Sequence, residues 1–353
     1  MGKVRKDYVL APSKGQIYRA KRKVEQIVEG SLVAQYAKIR DYGEELKKCN
    51  PGSTIVIEAE VGPKKKELFK RIYICLDACK KGWIAGCRPI IGLDACHTKS
   101  FHKAQLMFAV GLDAENSYYI IAYEVVEREG FETWKWFLEL LKVDLELEDP
   151  FVITFMFDRQ KGLIEAVGVL WDGCEHMFCV RHLYANFKKK FKGDVIRNKL
   201  WQATRTSKDE DFKVVMNEIK AIDERAWLWL CEKPPSQWTR SHFRTYPKCD
   251  MLLKNLCESV NGDRVILEAR FNLILSMLEM IRVKIMNRRA QRRIDMNMWY
   301  SDIGPRIAEI MEVEVQKSGN FIAIWGGNGC YQVNINRTPI AQVDLDKKTC
   351  TCK

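Results

Sequence analysis

The order of apolar segments between residues 88 and 180 limits the fold more than any other feature of this sequence. Three strand-like runs come first, "RPIIGLDACH", "QLMFAVGLD" and "SYYIIAYEVV", and the short polar "AEN" between the last two predicts a hairpin. A helical pattern, "FETWKWFLELLKVDLEL", precedes a strand at 151–157, a helix over 161–170 and the strand "HMFCV". This β-β-β-α-β-α-β order predicts an α/β fold, with one twisted mixed sheet and helices on both faces.

Two aspartates occupy matching places in this pattern. Asp94 lies near the end of the first strand, and Asp158 follows the strand after the long helix. We expect these two strands to be parallel neighbours, so both carboxylates should emerge at one edge of the sheet. Carboxylates that share an edge repel each other unless a cation lies between them, and Mg²⁺ binds such oxygens. The alternative is that Asp158 only caps the following helix.

Charge is unevenly distributed along the chain. Residues 1–88, 89–182 and 183–353 have balances of +10, −8 and +10. Basic flanks around an acidic centre are typical of a protein that binds a polyanion with its periphery and a divalent metal with its middle. Alternatively, single runs such as "KKK" at 64–66 and 188–190 are only solvated faces.

Cysteine use and hydropathy indicate the compartment. The 13 cysteines are scattered singly, the N-terminal residues lack the apolar core of a signal peptide, and no run of about eighteen apolar residues occurs. We therefore expect reduced thiols in the cytosol or nucleus and no membrane partner.

Composition predicts five regions along the chain. They are a small basic α+β leader (1–88), the first part of the core (89–182), a helical insertion rich in Lys and Trp (183–250), the last core helices (251–300) and a tail with two strand-like runs (301–353).

Five separated motifs, "GLDACHTK", "FDRQKGLIEAV", "FCVRHLYANFKKKF", "WTRSHF" and "LCESVNGDRVILEAR", resemble in this order the transposase of Mutator-like elements of plants. The leader resembles the segment before that catalytic core, so the resemblance runs from about residue 15 to the end. It implies an RNase H-like fold with a helical insertion before the last carboxylate. It also implies a nuclear protein whose partner is double-stranded DNA at the terminal inverted repeats of an element, and it allows a homo-oligomer.

The same resemblance implies a catalytic DDE triad of Asp94, Asp158 and Glu258. Such a triad binds Mg²⁺ or Mn²⁺ in a two-metal site and cuts and joins DNA. The sheet argument finds both aspartates independently, whereas Glu258 rests on the resemblance alone. Ala95 and Phe157 depart from the family, which commonly has glycine after the first aspartate and a small residue before the second.

Cys179 and His182 form the C-x-x-H motif of the family, and we expect them to support the site by packing and hydrogen bonding. With Cys174 and His176 they have the composition of a zinc site, but alternate side chains of a strand point to opposite faces, which disfavours it.

The terminal Cys350 and Cys352 resemble the start of a SWIM-type zinc finger whose second ligand pair is missing. Zinc is therefore expected only in a longer version of the chain.

Arg288, Arg289, Arg292 and Arg293 lie late in a long helical pattern. They are predicted to contact DNA phosphates, unless they only complement the C-terminus of that helix.

Two functions remain for the whole protein. One is a DDE-type DNA transposase of the Mutator-like family, or a decayed copy of one. The other is a domesticated, catalytically inactive, DNA-binding transcriptional regulator derived from such a transposase.

Overall fold

A computed structural model describes residues 13–28, 32–62, 67–100, 103–158, 160–247 and 256–352, and its centre is a seven-stranded mixed sheet. The strands are β1 (Thr54–Val61), β2 (Glu67–Cys75), β3 (Arg88–His97), β4 (Gln105–Leu112), β5 (Tyr118–Val126), β6 (Thr154–Phe157) and β7 (Glu175–Phe178). Their order across the sheet is β1-β2-β5-β4-β3-β6-β7. The hairpin predicted between β4 and β5 is present, with Asn116 in the left-handed region at φ 53°.

The parallel pairing that the sequence predicts for the two aspartate-bearing strands is confirmed. Strand β3 pairs with β6 in parallel, with Ile90 opposite Thr154 and Gly92 opposite Met156. Strand β7 continues the parallel part beyond β6. The carboxyl ends of β3 and β6 therefore lie at one edge of the sheet.

Helices cover both faces of this sheet, and each face has its own hydrophobic core. One face packs against α4 (Asp77–Gly86), α5 (Phe131–Asp144) and α6 (Lys161–Leu170). Helix α5 buries Trp134, Phe137, Leu138 and Leu141, whose spacing of three or four residues puts them on one side of the helix. The other face packs mainly against helices from the two ends of the chain.

The leader contributes α1 (Lys14–Val28), α2 (Leu32–Ala37), α3 (Ile39–Cys49), β1 and β2. Its strands do not form a separate sheet, because β2 pairs with β5 and extends the central one. The sequence pattern also predicts no helix at Asp77–Gly86. That helix, α4, buries only Cys79 and Trp83, so its apolar pattern is short.

The insertion consists of α7 (Val180–Lys190), α8 (Asp194–Arg205), α9 (Asp209–Ile222) and α10 (Glu224–Cys231). Short 3-10 turns at Pro235–Gln237 and Arg240–His242 follow. These helices enclose a third core around Phe187, Leu200 and Trp238. The predicted boundary between residues 250 and 251 lies outside the described residues.

The long helical pattern after the insertion is divided into α11 (Leu256–Asn261), α12 (Arg264–Ala269) and α13 (Ile274–Asn297), and Gly262 marks the first break. Helices α11 and α13 pack on the face of the sheet opposite α5.

The tail begins with α14 (Pro305–Ser318) and ends in a four-stranded sheet in which the order is β11-β10-β9-β8. Its strands are β8 (Ile322–Gly327), β9 (Cys330–Ile335), β10 (Thr338–Asp344) and β11 (Thr349–Cys350). The first two match the strand-like runs of the sequence. Across the described ranges, no helix combines the length and the apolar character needed to cross a membrane.

Candidate active site

Asp94 lies on the face of β3 that α11 covers. Side chains alternate along a strand, so Ile90, Gly92 and Asp94 share this face. One carboxylate oxygen of Asp94 accepts a hydrogen bond from the backbone N–H of Ala95 at 3.0 Å, and the other accepts one from Nδ2 of Asn261 at 2.9 Å. Helix α11 therefore holds the first predicted aspartate directly.

Asp158 follows the last residue of β6 and has the same strand parity as Met156, which belongs to the core on the α11 side. Its Oδ1 accepts a hydrogen bond from the backbone N–H of Gln160 at 3.0 Å, which closes an Asx-turn. The N-cap of α6 is Gln160, whose side chain accepts from the N–H of Leu163. The alternative in which Asp158 caps this helix is therefore wrong.

The two aspartates interact electrostatically. Burial and, second to it, the nearby carboxylate of Asp158 together raise the pKa of Asp94 to about 7. The hydrogen bond from the backbone of Ala95 acts in the opposite direction without cancelling these effects. The ionised form of Asp94 is therefore disfavoured beside Asp158.

Glu258 lies in the first turn of α11, one helical turn before Asn261. Its Oε2 accepts from Nη1 of Arg181 at 3.1 Å, and its Oε1 lies 3.7 Å from Sγ of Cys179 and 4.0 Å from Nε2 of His182. The carboxylate is therefore directed at the start of α7, beyond the end of β7. Cys257, the preceding residue, is buried with both Asp94 and Glu258 near its thiol, and burial raises the pKa of that thiol.

Cys179, His182 and Glu258 have ligand atoms that all lie within 4.8 Å of one another. Among the described residues, no other set of three Cys, His, Asp or Glu side chains meets this distance, so the carboxylates of Asp94, Asp158 and Glu258 do not. Glu258 nevertheless sits on a helix that covers the face carrying both aspartates. The structure thus places the Cys-x-x-His motif around the predicted glutamate.

The four-residue zinc arrangement considered from the sequence does not form. Nε2 of His176 lies 2.8 Å from the side-chain amide of Gln237, and its ring stacks on Phe157 at 5.7 Å. Cys174 packs against the core on the α5 face. Strand alternation separates these two residues from Cys179 and His182, as the sequence argument expects.

Two polar residues near the aspartates were missed. Asn261 belongs to the quoted "CESVNG" motif, and its spacing of three residues from Glu258 is the signal that places both on one side of α11. Glu129 follows β5, which runs in the same direction as β3 and ends at the same edge of the sheet. Its Oε1 accepts from Nε1 of Trp134 at 3.2 Å, while burial and then Asp158 raise its pKa.

Gly92 permits the close approach of α11 to β3. A Cβ atom at this position would lie 3.0 Å from Cβ of Leu256 and 3.1 Å from Sγ of Cys257. We expect Gly92→Ala to lower the free energy of unfolding by about 1–3 kcal/mol, because both neighbours are buried and must move. Urea denaturation measures the change. Gly168→Ala is the matched control: it meets no atom within 4 Å, lies within α6 and should be neutral or stabilising.

The four arginines predicted to bind DNA lie on α13 at the end of the sheet opposite the aspartates. Arg288 donates to the backbone oxygen of Tyr118 at 3.1 Å and stacks on its ring at 3.8 Å. Arg289 donates to the backbone oxygen of Ala78, and Arg292 lies 3.6 Å from Asp113. Arg293 is exposed. Three of these side chains thus attach α13 to the β4–β5 hairpin and to α4, a role that the sequence analysis did not consider.

Cys350 and Cys352 lie at the end of β11, with Cα atoms 5.3 Å apart and their sulfur atoms in contact. Cys350 belongs to the small tail sheet, which also contains Cys330 on β9.

The mixed sheet, with aspartates at the carboxyl edge of two parallel strands, defines an α/β protein of the RNase H-like transposase type. Residues 90–186 match the family model of the MULE transposase domain, which supports a Mutator-like transposase. The resemblance to Mutator-like transposases is thereby confirmed. The matched range includes Asp94, Asp158, Cys179 and His182 but not Glu258. None of the curated proteins compared with the chain matches it.

Proposed function

We propose that the chain is a DDE-type DNA transposase that cleaves and joins DNA strands with Mg²⁺ or Mn²⁺, with Asp94, Asp158 and Glu258 as its catalytic residues. The observation that carries the proposal is the pairing of Asp94 and Asp158 at the carboxyl edge of β3 and β6, inside a MULE transposase domain. A transposase domain implies that DNA is the partner. Terminal inverted repeats, a homo-oligomer and nuclear localisation remain proposals that follow from this assignment.

The donor set suits a hard divalent cation. Asp94 and Asp158 supply carboxylate oxygens at one edge of the sheet, and after burial the charge of Asp158 contributes to the raised pKa of Asp94. Oxygen ligands of this kind are those that Mg²⁺ and Mn²⁺ prefer. A bound pair of such ions would activate the attacking oxygen and stabilise the leaving oxygen at phosphorus.

The proposed reaction has two displacements at phosphorus. In the first, a water oxygen bonds to phosphorus while the bond to the 3′ oxygen breaks, so a 3′-hydroxyl and a 5′-phosphate form. In the second, that 3′-hydroxyl bonds to the phosphorus of another strand, and the 3′ oxygen of that strand leaves as a hydroxyl. Asp94 and Asp158 would hold the metal ions that bind the reacting phosphate, and Asn261 fixes the carboxylate of Asp94 by donating a hydrogen bond to it.

One observation favours the alternative of a catalytically inactive DNA-binding regulator. The carboxylate of Glu258 is held by Arg181 and surrounded by Cys179 and His182, and it lies outside ligand distance of a shared site with the aspartates. For catalysis, the carboxylate of Glu258 must leave its ion pair with Arg181 and bind the same metal ions as the two aspartates. Arg181 is 57% exposed, so this ion pair can open at the surface.

Strand cleavage separates the two functions. The purified chain is incubated with labelled element-end DNA in Mn²⁺ and, in parallel, in EDTA. Cleavage that depends on Mn²⁺ supports the transposase, whereas DNA binding without cleavage in either buffer supports the regulator.

The arginine cluster on α13 provides a separate prediction about DNA affinity. Each phosphate contact changes the slope of log K against log salt by about 0.9. Because Arg288, Arg289 and Arg292 already have partners within the protein, replacing all four arginines with Gln should reduce the slope by about one contact, not four. Fluorescence anisotropy over a salt series measures this slope. An unchanged slope would mean that the cluster only attaches α13 to the hairpin.

A further inference from the structure

A groove of about 850 Å³ opens between α7 and α8, beside the candidate active site. It is lined by two arginines, two aromatic rings and uncharged polar side chains, and its described lining has no carboxylate. The residues that define it here are Arg181, Tyr184, Asn198, Trp201, Gln202 and Arg205. We call it the α7–α8 groove.

The α7–α8 groove begins at the predicted glutamate. Arg181, which lines it, donates from Nη1 to Oε2 of Glu258 at 3.1 Å. The groove and the carboxylate of Glu258 therefore share the side chain of Arg181. The basic end of α7, with Lys188, Lys189 and Lys190, adds positive charge along the same helix.

Two aromatic rings form one wall of the groove. The centroids of Tyr184 and Trp201 are 5.4 Å apart, and the ring planes are inclined by 48°. Both rings are half-buried, so each keeps a surface open to a ligand. The guanidinium of Arg205 lies 6.0 Å from the Trp201 ring, and Nζ of Lys188 lies 5.8 Å from the Tyr184 ring. Aromatic rings beside cations are the features that bind bases and phosphates together.

Polar groups suitable for a ligand accompany the rings. Within the part of the chain that the structure describes, the side chains of Asn198 and Arg205 have neither a hydrogen-bond nor an ion-pair partner. Arg205 is exposed at the end of α8 and can turn toward a phosphate without breaking a hydrogen bond or an ion pair.

We propose that the α7–α8 groove binds an unpaired nucleotide of the DNA strand that is cleaved, with its base on Trp201 and its phosphate at the neighbouring Arg205. The position of that strand rests on the proposed function. Bases in a duplex are stacked inside the helix, and only an unpaired base exposes a face to an aromatic side chain. The volume is within the range of pockets that hold small ligands, about 300–1,000 Å³.

The test compares two DNA probes by fluorescence anisotropy in EDTA, so that no cleavage occurs. One probe is a blunt duplex, and the other is the same duplex with a short unpaired thymidine overhang. We expect Trp201→Ala to weaken binding of the overhang probe about tenfold, which corresponds to the loss of one base stack, and to leave the blunt probe unaffected.

Trp227→Ala is the matched control. Trp227 is half-buried in the same insertion and has Nζ of Lys220 at 4.5 Å from its ring, but it does not line the groove. It should not change the ratio of the two affinities.

Two further variants protect the test from a folding defect, because Trp201 also packs against the core. Arg205→Gln changes an exposed side chain and should also weaken binding of the overhang probe more than binding of the blunt probe. Tyr184→Phe keeps the ring and should bind both probes as the wild type does. The proposal would be overturned if Trp201→Ala and Trp227→Ala lost equal affinity for the overhang probe, or if Trp201→Ala lost equal affinity for both probes.

Failure of the proposed function has a different signature. If the protein prefers the overhang probe but does not cleave DNA in Mn²⁺, the groove proposal stands and the transposase proposal is wrong. A chain that cleaves in Mn²⁺, while Trp201→Ala binds both probes as the wild type does, loses only the groove.

Discussion

Asp158→Asn is expected to abolish metal-dependent DNA cleavage while the protein remains folded. Asparagine has the same size and its Oδ1 can still accept the hydrogen bond from the N–H of Gln160, so the turn after β6 persists. It lacks the negative charge that a divalent cation requires. The rate of strand cleavage in Mn²⁺ should fall on the order of 100-fold or more, given the sensitivity of metal sites to their ligands.

In the metal-free protein, the same substitution should increase thermal stability. Removal of the Asp158 charge removes one of the influences that raise the pKa of Asp94, so the melting temperature in EDTA should rise slightly. The increase in melting temperature that Mg²⁺ produces in the wild type should disappear. Thermal melts with and without Mg²⁺ measure both effects.

Asp149→Asn is a matched control for Asp158→Asn. Asp149 also accepts a hydrogen bond from the backbone N–H two residues later, at 2.8 Å from Phe151, but it precedes β6 and lies at the opposite end of that strand. It should leave cleavage and the Mg²⁺ effect unchanged. If Asp158→Asn behaves like Asp149→Asn in both assays, Asp158 has only a structural role in its turn.

The sequence predicts the order of the elements from β3 to β7 and the position of the two aspartates because both depend on local patterns. Strands β3 and β6 are apolar runs, and the helix between β5 and β6 makes a parallel return the expected connection. The parallel pairing of β3 with β6 follows from this order. Asp94 and Asp158 then reach the same edge through strand geometry alone.

The surroundings of Glu258 could not be predicted in the same way. Its contacts with Arg181 and Cys179 join residues 77 and 79 positions apart, and no local period connects them. The sharing of one sheet by the leader and the core has a similar cause, since β2 pairs with β5 across a long sequence separation. The arginines of α13 illustrate a different difficulty, because a basic run has one sequence pattern whether its partners are phosphates or backbone carbonyls.

A second large effect is expected at Glu124, a carboxyl in the middle of the central sheet. Its side chain is fully buried on β5, opposite Tyr73, and neither carboxylate oxygen has a hydrogen-bond partner in the described structure. Burial raises its pKa well above the usual range, and the nearby Arg71 opposes this only in part. Arg71 has other partners, because it lies 2.8 Å from Glu127 and 3.3 Å from Glu58.

Glu124→Met should therefore stabilise the protein at pH 8 by about 1–3 kcal/mol, the cost of a buried polar group without a partner. Methionine fills a similar volume and has no polar donor or acceptor to leave unsatisfied. Arg71 keeps its two carboxylate neighbours, so the substitution does not strand a buried charge. Urea denaturation in EDTA gives the free energy of unfolding.

The pH dependence identifies the cause. In the unfolded chain Glu124 loses its proton near the usual pKa of glutamate, whereas in the folded chain it holds the proton to higher pH. The folded state then binds more protons, so stability falls as pH rises from about 5 to 8. Asp94 adds a fall of the same sign up to its pKa of about 7, equally in both proteins.

Glu124→Met should lose less stability than the wild type between pH 5 and 8, and Glu139→Met, on the exposed side of α5, should follow the wild type. If the free energy of unfolding of Glu124→Met and of the wild type fell equally with pH, the charge of Glu124 would be neutralised by a partner in the folded protein.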